Sequence, residues 1–350
     1  MAGCSSTTSS VESTESSAAS AVDLIAYITN SQDNGKTTGM GSVIPIGLSD
    51  MVTGMPIDTG EGTGPNDIII TADGTTAWVT NEYTNSVASI DLATGVVGPS
   101  IAVGAEPVAI AFVPGSNEQW AWTSNYDGKS VTTINLATGS VGTTIKMPNA
   151  GPNTIAFTPD GKYCYVANWG TSSKAGSTVT PIQVTDGGAG GTIMPNIKVG
   201  LNPNWIAVTP DGATAYVAKK GSSSITPIDV ATNTAGAAIN VPGPPIELEI
   251  SPDGALAYVA IAGSAPEIDA VVPMDLTVSP ATVGATIAMA PKSQPHWIAF
   301  TPDGLLAYVV GNGDSTLTPI TVAGNTPGTP AVLSTDPDAD MLAIAITAKK

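Results

Sequence analysis

Arginine is missing from this chain: all eleven basic residues are lysines, set against twenty-nine acids, for a formal charge of −18. There is therefore no bidentate guanidinium clamp for a phosphate or carboxylate. Nucleic acid and anionic membrane surfaces are disfavoured as partners, because both need clustered cations to displace counterions. Histidine occurs once, at His296, and cysteine twice, at Cys4 and Cys164. Two cysteines in such different settings form no disulfide framework. Cys164 lies in an apolar strand pattern and reads as inert core. No GxSxG elbow, phosphate loop, HExxH or CxxC pair is present, which leaves serine hydrolase, nucleotide and zinc chemistry without support. No apolar run reaches the roughly 18 residues of a membrane-spanning helix, and no helical heptad recurs.

Glycine (38) and proline (28) are plentiful, hydrophobic residues make up 42% and charged residues only 11%. That balance describes a turn-rich, well-buried β protein. Ahead of it stands a tail, residues 1–22, in which Cys4 follows Ala2-Gly3 and precedes SSTTSSVESTESSAAS. This looks like the end of a bacterial lipobox and its polar tether, with Met1 standing where a signal peptide was cut away. Cys4 is then a lipidation site, and the expected location is extracellular or on the cell envelope, with the membrane touched only through the lipid. A plain disordered tail is the alternative.

From residue 23 to 350 one strand motif recurs seven times: AYITN from Ala26, AWVTN from Ala77, AWTSN from Ala121, CYVAN from Cys164, AYVAK from Ala215, AYVAI from Ala257 and AYVVG from Ala307. The spacings of 51, 44, 43, 51, 42 and 50 residues suit propeller blades of four short strands. In each period an apolar strand A leads through a turn, usually Thr/Ser-Pro-Asp-Gly as at Thr158–Gly161, into the motif strand B. Proline presets φ and glycine accepts the positive φ that closes such a turn. Strands C and D follow. Pro45, Pro181, Pro227, Pro273 and Pro319 recur inside strand C, where a ladder N–H is needed, so a bulge or a ragged outer strand must absorb them. The chain starts at a strand B and ends on MLAIAIT, a strand A without a following partner. The predicted fold is an all-β, seven-bladed β-propeller of four-stranded antiparallel blades, closed by pairing the C-terminal strand with the N-terminal blade, which removes exposed edges. A monomer is expected.

With Tyr27-Ile28-Thr29-Asn30, Trp78-Val79-Thr80-Asn81 and Tyr165-Val166-Ala167-Asn168 ahead of the Pro-Asp-Gly turns, the chain resembles the YVTN-repeat β-propeller family over about residues 23 to 350. The resemblance implies the fold and a bacterial or archaeal envelope or surface-layer setting. It assigns no activity. Related propellers include lactonases and lyases, so an enzyme stays open.

Topology puts the start of strand A and the B-to-C loops at one mouth of the central channel. Aligning the repeats brings Asn66, Val108, Asn153, Asn204, Ile246, His296 and Leu342 to one column, and Asp67, Ala109, Thr154, Trp205, Glu247, Trp297 and Ala343 to the next. The B-to-C loops add Glu82, Tyr83, Tyr126, Trp169, Lys219 and Lys220. From strand B to strand C they run 13 residues in four blades but 20, 18 and 17 in those starting at Ala26, Cys164 and Ala257. The candidate ligand set is Asn66, Asp67, Tyr83, Tyr126, Asn153, Trp169, Asn204, Trp205, Lys219 and Trp297, taking a neutral polar small molecule, a glycan or a protein. One competing reading makes Asn66, Asn153, Asn204 and Glu247 oxygen ligands of Ca²⁺, with His296 or Glu247 as general base of a lactonase-like hydrolase or lyase. Another is a surface-layer scaffold without a ligand. Each residue also has a plain role: the loop asparagines as turn stabilisers, His296 as packing, and the two tryptophans as a channel plug.

Overall fold

A computed structural model describes residues 23–31, 39–147, 151–171, 174–263 and 268–349. The tail with Cys4 lies outside these. Seven antiparallel sheets, each of four or five strands, form a β-propeller. Its inner strands are Pro65–Ile70, Pro107–Phe112, Pro152–Phe157, Pro203–Val208, Pro245–Ile250, Pro295–Phe300 and Met341–Ala348. Consecutive ones touch all the way round the channel, the last returning to the first. We number the blades in chain order, blade 1 being the one that opens with Leu24–Asn30.

Closure is as expected. Met341–Ala348 pairs antiparallel with Leu24–Asn30, placing Ile346 opposite Ala26 and Ile344 opposite Ile28. Blade 1 is thus stitched from both ends of the chain. Met341 and Ala343 are fully buried and Ile344 is 5% exposed, so this strand seals the seams to blades 2 and 7.

The seams explain the composition. The first residue of every motif strand, from Ala26 to Ala307 with Cys164 as the one sulfur, is completely buried. Small side chains there let neighbouring sheets approach; Tyr165 and Ala167 of blade 4, for example, pack with Ile206, Ala215 and Val217 of blade 5. Burial also raises the Cys164 thiol far above its ordinary pKa, which keeps it unreactive.

The strand C prolines are absorbed by raggedness. In blade 5, strand C pairs with Thr234–Ala235 on one side of Pro227 and with Ile239–Asn240 on the other. The Pro227 carbonyl accepts the Gly236 N–H at 2.8 Å in the gap. Blades 1, 6 and 7 repeat this at Pro45, Pro273 and Pro319. Blade 3, with Thr133 at that position, carries an unbroken outer strand, Ser140–Lys146.

On the face opposite the mouth, the Thr-Pro-Asp-Gly turns interlock. The Thr158 hydroxyl donates to Asp160 at 2.7 Å, and Gly161 adopts φ +68°. A Cβ on Gly212, itself at φ +72°, would lie 3.3 Å from Pro159 of the preceding blade. Glycine is needed there both for the turn and for the seam.

Ending the chain after Pro337 removes the strand that closes the ring, at a cost of roughly 1.5 to 3 kcal/mol for each large apolar side chain lost. The truncated protein is expected to lose its cooperative thermal transition in circular dichroism. A truncated chain that melts like the full one would refute this role of closure.

Candidate functional site

Every inner strand carries a β-bulge at the same place. In blade 5, Pro203 lies opposite Lys219 and Trp205 opposite Ala218, leaving Asn204 as the extra residue. The same register shift isolates Val108, Ile246 and His296, and spans Asn66-Asp67, Asn153-Thr154 and Leu342-Ala343. In six of the blades a buried proline stands immediately before the bulge, where a missing N–H costs the ladder nothing. A bulge re-aims a side chain. Here all seven are aimed at the axis, where they line a cavity of about 230 Å³.

Two indoles form its floor. Trp205 and Trp297, from blades 5 and 7, meet edge to face with ring centroids 4.4 Å apart. Both residues line the cavity.

A belt of hydrogen bonds between blades surrounds the cavity. At several of the bulges a side chain of the preceding blade donates to the carbonyl of the extra residue. Thr29 donates to the Asn66 carbonyl at 2.9 Å, and Thr154 and Asn153 to that of Asn204 at 2.6 and 2.8 Å. Ser124 donates to the Asn153 carbonyl and Asn204 to that of Ile246. One ring nitrogen of His296 is hydrogen-bonded to the Leu342 backbone, while Nδ1 has no partner. At the seam of blades 2 and 3 the polarity reverses: the Asp67 carboxylate accepts the N–H groups of Ile68 at 2.7 Å and Ile110 at 2.8 Å.

Seven of the candidate residues therefore share the cavity: Asn66, Asn153, Asn204, Trp205, Glu247, His296 and Trp297. Five do not line it. Asp67 is buried at its seam. Tyr83 lies against Gly64, Tyr126 against Gly151, and Trp169 donates its N–H to Gly151. Tyr83 and Trp169 thus meet the loop ahead of their own inner strand, and Tyr126 the loop ahead of the next blade's. Lys219 is 3% exposed and packs against Gly200. The loop asparagines act as the plain reading had them: Asn125 donates to Ser130 and Thr132, and Asn168 to Thr178 and Thr180. In the blade starting at Cys164, the longer loop is an extension of strands B and C, to Thr171 and from Lys174.

Part of the donor set considered for Ca²⁺ is engaged within the protein. A hard cation needs several oxygens, some of them charged. Asn204 Oδ1 instead receives Asn153 Nδ2 at 3.2 Å, Asn66 Nδ2 is given to Glu82 at 2.7 Å, and Glu247 is fully buried. Among the described residues no three His, Cys, Asp or Glu side chains converge.

Burial dominates the titrating groups. Both Glu247 oxygens are sealed from solvent without a well-formed hydrogen bond. Desolvation, then the nearby Glu249, push its pKa well up, and the Ile298 N–H offsets only part of this. Desolvation raises Glu249 to about 8. Asp67 is raised to about 7 by desolvation against the pull of its two N–H donors. His296 is lowered by desolvation and by the Lys220 charge, with Asp340 and the Leu342 hydrogen bond acting the other way. On the outer mouth Glu106 is raised to about 7 by burial, then by Asp127 and Glu82.

Beside the first cavity lies another of about 440 Å³, sharing Ile246 and His296 with it and bordered also by Lys220, Asp269, Lys292, Gln294 and Asn312. The sequence reading passed over most of these. The signal was a third column, two residues ahead of each bulge residue, which holds Glu106, Asn202, Gln294 and Asp340.

No protein-family model and no curated protein sequence matches the chain. Among solved structures it is similar to hydrazine synthase of Kuenenia stuttgartiensis (19% identity, TM-score 0.70, covering 82% of this chain and 96% of that one). It is also similar to the periplasmic gluconolactonase of Pseudomonas aeruginosa (15%, 0.70, 93% and 99%). An inactive variant of virginiamycin B lyase from Staphylococcus aureus is a third (15%, 0.63, 78% and 85%). At these identities the likeness shows the seven-bladed fold.

Two predictions concern protons. Glu249 binds its proton more tightly folded than unfolded, so its stabilisation is complete below the ordinary carboxylate pKa and is lost as pH rises towards 8. Glu249→Gln should melt above the parent at about pH 9 and with it at about pH 5; identical profiles would contradict the assignment. For His296 the sign is opposite. Its folded pKa lies below the unfolded value, so its contribution is complete above about 6.5 and is lost as pH falls. The chain has one histidine, so a single imidazole resonance in an NMR pH titration reads that pKa directly, and a midpoint at or above about 6.5 would refute the burial argument.

Proposed function

We propose that this chain is a YVTN-type propeller that binds a small polar molecule at the channel mouth and is displayed outside the cytoplasm on a lipid carried by Cys4. The observation behind the binding role is the ring of seven bulges, which turns three asparagines and the single histidine onto one cavity above an indole floor. Apolar walls with a few convergent polar groups are how small-molecule sites are generally built. The hydrogen-bonding capacity left over is modest and specific: Asn204 gives one amide hydrogen to Ile246 and Asn66 one to Glu82, and the His296 ring forms part of the wall.

The place of His296 between the two cavities favours a second reading. A neutral imidazole beside a cavity can take a proton from water as the water attacks a lactone carbonyl, with the ring C–O bond breaking to give the hydroxy acid. The name of the gluconolactonase structure agrees with such chemistry.

Val108→Phe separates binding from stability, because Val108 points at the axis and its side chain belongs to no hydrogen bond of the belt. Against a calorimetric panel of sugars, sugar acids and aldonolactones, the variant should bind at least tenfold more weakly, about 1.4 kcal/mol, with its melting temperature unchanged. Equal affinity would remove the mouth as the site. Lactone turnover by the parent that is lost in His296→Ala would establish the second reading; turnover by neither would confine the protein to binding.

A further inference from the structure

Lysine is unevenly placed in this acidic chain. Lys162 and Lys349 lie on the turn face and are paired with Asp160 and Asp23 at 2.8 and 3.2 Å. The other described lysines are all at the mouth end of the ring. Lys129 and Lys146 stand in blade 3, Lys174 and Lys198 in blade 4, Lys219 and Lys220 in blade 5, and Lys292 just ahead of the inner strand of blade 7. Among the described residues none of these seven has a carboxylate within 4.0 Å.

Two of them, Lys220 and Lys292, border the 440 Å³ cavity that opens beside His296. Its size lies within the range of about 300 to 1,000 Å³ usual for small-molecule sites. Lys220 is held in place, its Nζ 5.8 Å from the centroid of the Trp169 ring, and is partly desolvated there. Its charge already reaches His296. The acids nearby do not cancel the pair. Asp340 is occupied by Ser31 and Asn312, which leaves Asp269 as the one carboxylate on the described wall. Neutral groups complete it: Gln294, Asn312 and the His296 ring. Two uncompensated cations at one end, with amides and a carboxylate to accept hydroxyl hydrogens, suit a molecule with a single negative charge and several hydroxyls.

We infer that the mouth takes a small hydroxy-carboxylate, its carboxylate held between Lys220 and Lys292 and its hydroxyl groups turned towards His296, Gln294 and Asp269. This rests on the binding role proposed above and gives it a ligand class. The chain has no phosphate loop, whose converging backbone N–H groups would favour a phosphate.

Galacturonate and galactose differ only by the carboxylate, and the full chain serves as receptor. In calorimetry galacturonate should bind at least about tenfold more tightly than galactose, with the advantage shrinking as salt is raised. By NMR it should raise the pKa of His296, since a bound anion favours the imidazolium, while galactose leaves it unmoved. Lys220→Met with Lys292→Met, both solvent-facing changes, should abolish the preference at unchanged melting temperature. Equal affinity for the two sugars, no binding of either, or a preference that survives the double substitution overturns the inference. So does inorganic phosphate competing as well as galacturonate, which would reduce the lysines to a plain anion site. If galactose binds as tightly and Val108→Phe removes it, the mouth remains the site and only the anionic class falls. If the galacturonate preference persists in Val108→Phe, the lysine cavity stands and the axial cavity is not the site.

Discussion

The unpaired carbonyl of the inner-strand bulge is the constraint on which the rest of this propeller depends. Such carbonyls gather where the inner strands converge, and burying one without a donor costs about 1 to 3 kcal/mol. The preceding blade answers it: Thr29, Ser124, Thr154, Asn153 and Asn204 supply hydroxyl or amide hydrogens across successive seams. The same groups tie the blades together near the axis, where strands are closest and small misalignments would propagate round the ring. On the opposite face the turn prolines and glycines do the equivalent by shape alone.

A belt that satisfies backbone carbonyls also decides what is left for a ligand. Amide hydrogens spent on Asn204, Ile246 and Glu82 are not available at the axis. Buried Glu247 and Glu249 are disposed to hold protons at neutral pH, which removes charge that a hard cation would need. The mouth is consequently a place for neutral hydrogen bonds over indole surface, with positive charge entering from one side only. That asymmetry, lysines on blades 3 to 5 and before blade 7 against Glu82, Glu106 and Asp127 on blades 2 and 3, gives the entrance a direction.

Much of this was legible in the residues. A repeat with invariant order carries its own alignment, so the column Asn66 to Leu342 could be drawn without coordinates, and all seven of its members reach the cavity. The neighbouring column was harder. Successive residues of a strand point to opposite faces, and here the next position faces a seam as well as the channel. Trp205 and Trp297 are long enough to reach the axis, whereas the short Asp67 is captured by the Ile110 N–H before it gets there. Tyr83, Tyr126 and Trp169 were assigned to the mouth by topology, correctly as to which end of the ring, but Tyr83 and Trp169 engage the loop of their own blade and Tyr126 that of the next.

By itself the sequence determined the number of blades, the closure by Met341–Ala348, the excess of acid, and the residues that stand at the bulges, because all of these follow from periodicity and counting. Tertiary structure alone decided which polar atoms remain unclaimed there. Hydrogen-bonding capacity is consumed by neighbours from other repeats, and no column of an alignment records that Asn153 spends its amide on Asn204, or that Lys220, one blade away from the sequence neighbours of Lys292, faces the same cavity.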